Sequence, residues 1–422
     1  MKLIHLLFEQ YYLPDKPVLP LLAAFEYSDD GEILRACISD QCDAIQTLSE
    51  QGNGVEQIAT ALGIAVLNFS APLRLQPVYI PKPWGQEIWY TGIEARGVSQ
   101  IISETGVTPL PWAIALDSQR ILGAHEQLNL LKILDPLPDE VFGDLYFELH
   151  EKKREVYIVT NVDERAWPNG VGAIRYGFSS SKREQFADDA SFAAAYRDAV
   201  RDYQTIRREL DGLLDILRKR DGVHPVAPVP AMQMQHWLEE LPQDLRSHES
   251  TLRMRMESFT GLRDLCVGDV LAVPLRTPHA LQHGVRTVEF QTPVYERKIL
   301  SFAQKVLTQE HWDTEEALAL AQFQTPKDDA FPVLLDADGV KIEQIVQFDD
   351  FTVERIYLAP NASFACEASG SYALLMTVMG RVVCDARMLE FEQAVLVPAN
   401  AESVMLQNPS NKPAVILLAR PR

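Results

Sequence analysis

Basic residues are scarce in this chain: 39 lysines and arginines stand against 59 aspartates and glutamates, a formal net charge of -20 over 422 residues. Such a balance argues against a general nucleic-acid-binding role, because a polyanion is held by a basic surface; a local basic pocket for a phosphorylated metabolite stays compatible with it. Cysteine is scarce too. Cys37, Cys42, Cys266, Cys366 and Cys384 are odd in number, widely spread and without Cys-x-x-Cys spacing. They read as reduced, mostly packed thiols in a cytoplasmic protein rather than as a disulfide framework. Long apolar runs are missing as well. The longest, such as Val395-Leu-Val-Pro and Ala414 to Ala419, have strand length, far short of the roughly 20 residues that span a bilayer as a helix. Met1 to Phe8 is followed at once by Glu9, so neither a secretion signal nor a membrane partner is expected.

What is present begins with 47% hydrophobic and 9% aromatic residues, enough for well-formed cores in two or three domains. Residues 1–78 mix strand-like segments (Lys2 to Phe8, Leu19 to Tyr27, Ile33 to Ile38) with a helical stretch from Val55 to Leu62, ended by Gly63. No chemistry is visible in this α+β extension. From Tyr79 to Val162, short apolar runs punctuated by Pro, Gly and Asp predict antiparallel β structure. Between 183 and 219 the period changes: Phe192, Tyr196, Val200, Tyr203, Leu210, Leu213 and Leu217 recur mostly every three or four positions. That predicts one long amphipathic helix packed on the body of the protein. A second helical piece, Met232 to Leu241, stops at Pro242, and strands resume from Ser258. Asp313 with Glu316 predicts a capping-box start for a helix ending near Phe323. Pro326 to Pro332 reads as an interdomain linker, and Val333 to Arg422 as short alternating strands. The chain is thus mainly β with a helical insertion at about 183–255, in two β domains, 79–325 and 326–422, plus the extension.

The chemistry gathers at Glu148-Leu-His150-Glu-Lys-Lys-Arg-Glu155 and at Gly268-Asp-Val-Leu-Ala-Val-Pro274-Leu-Arg-Thr-Pro-His279. Glu148 and His150, two positions apart, project from one face of a strand. Glu155, past the charged turn Glu151 to Arg154, can return on the neighbouring strand, and His279 would close the set from a distant one. Two imidazoles and two carboxylates make a mixed N/O site suited to zinc, with manganese, iron or cobalt also possible because no thiolate selects a soft metal.

These halves resemble the cupin metal motif, in which His-x-His and Glu precede a Gly, five residues, Pro and a later His; Glu148 replaces the first His and Arg276 stands where Gly is usual. More fully, residues 80 to 422 resemble type I mannose-6-phosphate isomerases. The likeness runs through Pro83-Trp-Gly-Gln-Glu-Ile-Trp89, Leu130 to Asp135, Phe147-Glu-Leu-His150, Ile174-Arg-Tyr-Gly177, Gly268 to Leu281, and Thr287 to Arg297. It implies two cupin-type β-barrel or jelly-roll domains. The second carries Ser403 where the first has His279, and is expected to bind no metal.

In that family the ion is held by a Gln-x-His strand, a Glu on the next strand and the His of a Pro-His segment. Position by position, His150, Glu155 and His279 match, and Glu148 replaces the glutamine. The extra carboxylate neutralises a divalent ion and so weakens it as a Lewis acid. The resemblance also implies that Arg297 is the active-site arginine and that Lys132 and Lys153 stand near the sugar phosphate. The family's Gly-Glu-Cys-Trp-like segment appears as Leu110-Pro-Trp-Ala, without its glutamate. The implied activity is aldose-ketose isomerisation of mannose 6-phosphate and fructose 6-phosphate, or a close relative, through a cis-enediol. Lys132, Lys153 and Glu289 all stay open as the base. A non-catalytic or regulatory sugar-binding cupin that keeps the ion is the alternative.

Overall fold

The structure, a computed structural model, describes all residues except 226, 308, 310, 325, 327–329 and 368. Two antiparallel sheets face one another around the segments singled out above. The six-stranded sheet runs in the order Val270–Val273, Glu155–Val162, Val285–Gln291, Leu130–Pro136, Gly85–Trp89, Val78–Lys82. The five-stranded sheet runs Thr260–Leu265, Gly172–Phe178, His279–Leu281, Phe147–Leu149, Lys298–Ser301. Alternate residues of both close a common core of Leu134, Tyr157, Val159, Ile174, Leu281 and Ile299. This is a mainly β, cupin-like arrangement of stacked antiparallel sheets.

A second pair follows the same plan. A nine-stranded and a four-stranded sheet enclose Ile342, Ile356, Leu375, Val382, Leu406 and Ile416. Pairing here crosses the boundaries drawn from the sequence: Leu73–Gln76 joins Ala394–Val397 through Val395↔Arg74 and Leu396↔Leu73, and Gln100–Ser103 and Gly106–Pro109 continue the same sheet.

The amino-terminal strands Lys2–Glu9, Val18–Tyr27 and Ile33–Ser39 form their own sheet. Residues alternate sides, and both faces of its second and third strands are covered. Leu22, Ala24 and Cys37 pack under the helices Cys42–Glu50 and Val55–Leu62 with Ile45, Val55 and Ile58. Leu21, Ala23, Phe25, Ala36 and Ile38 enter a large core shared with the outer faces of both bigger sheets, through residues such as Ile133, Phe290, Leu374 and Leu396. The extension is therefore fixed to the body. Gly63 ends the second helix in the left-handed region (φ 65°), and the backbone of Gly106 lies so close to the Gly63 carbonyl that a Cβ there would overlap it at 1.9 Å.

The insertion is helical as expected, with differences at its edges. Asp188 accepts from the Ser191 amide and Ser191 returns the bond, starting one 32-residue helix, Asp189–Arg220. Phe192, Tyr196, Val200 and Tyr203 bury against Phe147, Phe178, Phe259 and Leu300, and the far half, Leu210 and Leu214, packs on Trp237. Helix Ala231–Glu240 is where it was expected, but Gln243–Glu257 is a further helix that precedes the strands. The later helix is shorter than predicted, Thr314–Leu320. The Asp313 side chain does not cap it; its Oδ2 instead accepts from the Ile299 amide at 2.9 Å. Part of the proposed linker, residues 327–329, lies outside the described residues. No helix among the described residues is long and apolar enough to cross a membrane.

Candidate metal centre

Glu148 and His279 are direct cross-strand partners in the five-stranded sheet, so their side chains share its inner face. His150 follows the end of its strand, where its carbonyl accepts from the Arg276 amide at 2.7 Å. That bond ties together the two sequence segments that carry the ligands. Glu155 is not on a neighbouring strand of this sheet, contrary to the expectation above. The turn 151–154 carries the chain across the sandwich, and Glu155 opens a strand of the six-stranded sheet, facing the histidines. The result is the same convergence by a different route.

His279 Nε2 lies 2.6 Å from Glu155 Oε1, and His150 Nε2 lies 3.3 Å from the same oxygen. One donor atom from each of the three falls within 4.8 Å of the others. Glu148 stands beside this group, not in it, with Oε1 3.7 Å from His150 Nε2.

These residues fit a cation. The Thr277 carbonyl, which can only accept, lies 3.0 Å from His279 Nδ1, so Nδ1 carries the hydrogen and Nε2 presents its lone pair to Glu155. Burial opposes a second proton on this ring, but Glu155 outweighs it and raises the His279 pKa; an ion bound here would take that proton's place. His150 Nε2 and Glu148 Oε2 are buried without hydrogen-bond partners. Two such atoms beside the Glu155 carboxylate match what an ion would satisfy. Burial, with Lys153 adding to it, pushes the His150 pKa down against the pull of Glu155, and neutral imidazole is the ligating form. Burial pushes Glu155 up, but Lys153, His150 and His279 outweigh it and hold its carboxyl well below the usual range.

The supports were less visible from sequence. Tyr157 donates to Glu155 Oε1 at 2.8 Å, and Lys153 Nζ lies 3.1 Å from Oε2. The Glu296 carboxylate takes the amides of Glu151, Lys152 and Lys153 at 2.7, 2.8 and 3.1 Å, which fixes the turn between His150 and Glu155. Tyr157 could have been found, since it sits two positions after Glu155 on the same strand face. Glu296 offered no signal.

Beside the centre, a polar row crosses the inner face of the six-stranded sheet. Lys132 Nζ lies 3.2 Å from Glu289 and 3.9 Å from Glu87, whose other oxygen accepts from Trp89 Nε1 at 2.7 Å. Burial pushes Glu87 up, but Lys132 and Lys82 prevail and hold it at about 2. The stabilisation from this depressed carboxyl is complete above its ordinary 4.5 and is lost as the pH falls towards 2. Glu289, 1% exposed, is pushed up to about 8 by burial, which Lys132 only partly opposes. Substituting Lys132→Met keeps the volume, removes the cation paired with buried Glu289 and leaves Glu87 with Lys82 alone; we expect a loss of about 3–5 kcal/mol of stability, read by denaturant unfolding. A loss below about 1 kcal/mol would show that the row does not depend on this lysine.

Lys132, Glu148, Lys153 and Arg297 line a cleft of about 770 Å³, of ordinary size for a small-molecule site. Glu148 and Lys153 connect it to the buried triad. The Arg297 guanidinium lies 4.9 Å from the Tyr146 ring centroid. Burial opposes its charge, but nearby Glu148 and the Tyr295 and Tyr146 phenols favour it. All seven residues singled out from sequence, these four with His150, Glu155 and His279, thus belong to one neighbourhood.

No family model and no curated protein matches the chain. Solved structures do. Mannose 6-phosphate isomerase from Bacillus subtilis is 14% identical, with 83% of this chain and 99% of that one covered and a TM-score of 0.54. The apo form of the Salmonella typhimurium mannose 6-phosphate isomerase is 12% identical over the same shares, with a TM-score of 0.57. A putative mannosephosphate isomerase from Archaeoglobus fulgidus is 11% identical, again over 83% and 99%, with a TM-score of 0.50. At these identities the likeness is one of fold.

Proposed function

We propose that this protein is a metal-dependent aldose-ketose isomerase acting on a sugar phosphate, with mannose 6-phosphate and fructose 6-phosphate as the first candidates. One observation carries the reading: two imidazoles and a carboxylate, with the His150 nitrogens buried and unpartnered, converge beneath a cleft lined by Lys132, Lys153 and Arg297. The same fold in solved isomerases supports it. Two cupin-type units, 79–325 and 326–422 with 1–78 as an added part, are the matching division of the chain, although strands Leu73–Gln76, Gln100–Ser103 and Gly106–Pro109 pair into the sheet of the second unit.

His150, Glu155 and His279 would hold the ion, with Glu148 at its side. A divalent ion there supplies Lewis-acid polarisation of a sugar carbonyl; zinc suits the donor set, and manganese, iron or cobalt remain candidates. The chain's own residues do the rest. Isomerisation moves a proton between adjacent carbons through a cis-enediol, so negative charge grows on an oxygen. The Arg297 guanidinium, fixed at the cleft wall, shares that charge. Lys132 is held protonated, because Glu289 and Glu87 outweigh its burial; that suits it to attract an anionic substrate more than to accept a proton. Lys153 lines the cleft as a phosphate contact. Glu289 lies beneath the row.

A coupled assay with purified protein loaded with zinc or manganese tests the reading. Turnover of mannose 6-phosphate or another hexose phosphate is the expected result. No turnover on any hexose or pentose phosphate overturns it, and saturable sugar-phosphate binding in that case would leave the non-catalytic cupin.

A further inference from the structure

The far wall of the cleft comes from the part of the chain in which the sequence shows no chemistry. Phe8, Tyr11 and Tyr12, at the end of the first strand and in the hairpin loop 10–17, line the same cleft as Lys132 and Arg297. Their rings form a cluster, Tyr11 edge-on to Tyr12 at 5.5 Å and Phe8 6.4 Å from Tyr11. The loop is anchored by Gln10 N to Pro17 O at 3.0 Å and Leu13 N to Gln10 O at 2.9 Å. Phe8 itself is buried in the core shared with the body. Tyr11 nevertheless leaves 52% of its surface in solvent.

On a second wall, the Arg96 guanidinium lies 5.0 Å from the Trp89 ring centroid and 5.6 Å from that of Tyr295, and Tyr295 is 71% exposed. Aromatic rings on separate segments of one concave surface, left this exposed, offer flat faces to a ligand.

We propose that the hairpin loop of the amino-terminal extension, with Tyr295, forms an outer subsite, and that the substrate is a phosphorylated sugar bearing a second, uncharged sugar ring. The inference rests on the isomerase reading of the inner cleft and adds the substrate class. The C–H face of a pyranose stacks on an aromatic ring while its hydroxyls stay hydrated at the rim. Charge does not favour an anionic extension such as a nucleotide diphosphate. The cations around these rings are already paired: Arg96 with Glu94, Lys82, 6.0 Å from the Trp89 ring, with Glu87 at 3.1 Å, and Lys16 of the loop with Glu9 at 3.6 Å.

Calorimetric titration of the full-length, zinc-loaded protein with mannose 6-phosphate and with its 3-O- and 4-O-glucosyl derivatives tests this. At least one glucosylated compound should bind about tenfold tighter than mannose 6-phosphate, and the ratio should fall towards one in Tyr11→Ala/Tyr12→Ala. Tyr295→Ala, at an exposed position where folding is not at risk, should reduce the ratio as well. Equal affinities in the unmodified protein, or a preference that survives both variants, overturns the outer subsite whatever the turnover assay shows. A clear preference without turnover sustains the subsite and removes the isomerase reading instead. Absence of binding by all three compounds overturns the outer subsite, and turnover of the other hexose and pentose phosphates then decides the isomerase reading by itself.

Discussion

His279→Ala is expected to leave a folded protein that no longer retains a stoichiometric metal ion. His279 Nε2 is within 2.6 Å of Glu155 Oε1 and its other nitrogen is tied to the Thr277 carbonyl, so the imidazole is already oriented for the ion. Loss of an outer partner of a metal ligand commonly lowers affinity about 10–100-fold, and loss of a ligand itself should exceed that. Alanine also removes one of the three groups that draw the Glu155 carboxyl down. Lys153 and His150 remain on the other side, which keeps the buried carboxylate partnered and lets the fold persist. Metal analysis after exhaustive dialysis, with circular dichroism as the check on folding, gives the answer. Full metal content in the variant would break the constellation and, with it, the enzymatic proposal.

How much of this could be read from the sequence depended on whether the information was local. The helix Val55–Leu62 and its Gly63 stop, the three amino-terminal strands and the stripe from Phe192 to Leu217 are written in periods of two or three to four, and the structure has them. Helices Cys42–Glu50 and Gln243–Glu257 were missed because their apolar faces are thin: Cys42, Ile45 and Leu48 on the first, and Leu245, Leu252 and Met256, widely spaced among charged residues, on the second. Strand partners were beyond reach. Nothing near Leu73 announces that it pairs with Leu396, and an alternating pattern gives the face of a strand but not its sheet, which is why Glu155 was placed beside His150 and not opposite it. The metal group itself was legible because ligand chemistry is carried by residue type and spacing. The cleft's outer wall was not, because Tyr11 and Tyr12 look like any aromatic pair until a hairpin brings them to the opening.

The second large effect is expected at Arg297. Its guanidinium is held over the Tyr146 ring at 4.9 Å, lines the cleft beside Glu148, and is kept charged by that carboxylate despite burial. A charge fixed before the reaction and facing the cleft should stabilise an enediolate oxygen more than the neutral carbonyl from which it forms. Removing it should therefore lower kcat, by about 10²–10³-fold on the scale of a lost oxyanion donor, with KM changed much less. Arg297→Lys should recover only part of the loss, because an ammonium keeps the charge but neither the planar fork nor the stacking on Tyr146. Steady-state kinetics of Arg297→Ala and Arg297→Lys on the substrate found by the coupled assay, with metal content measured in parallel, separates the possibilities. If KM rises and kcat holds, Arg297 grips the phosphate and the charge-sharing role fails. If metal is lost together with activity, the arginine acts through Glu148 on the ion instead. A fall in kcat with metal retained leaves the guanidinium where the chemistry needs it, at the oxygen that becomes negative.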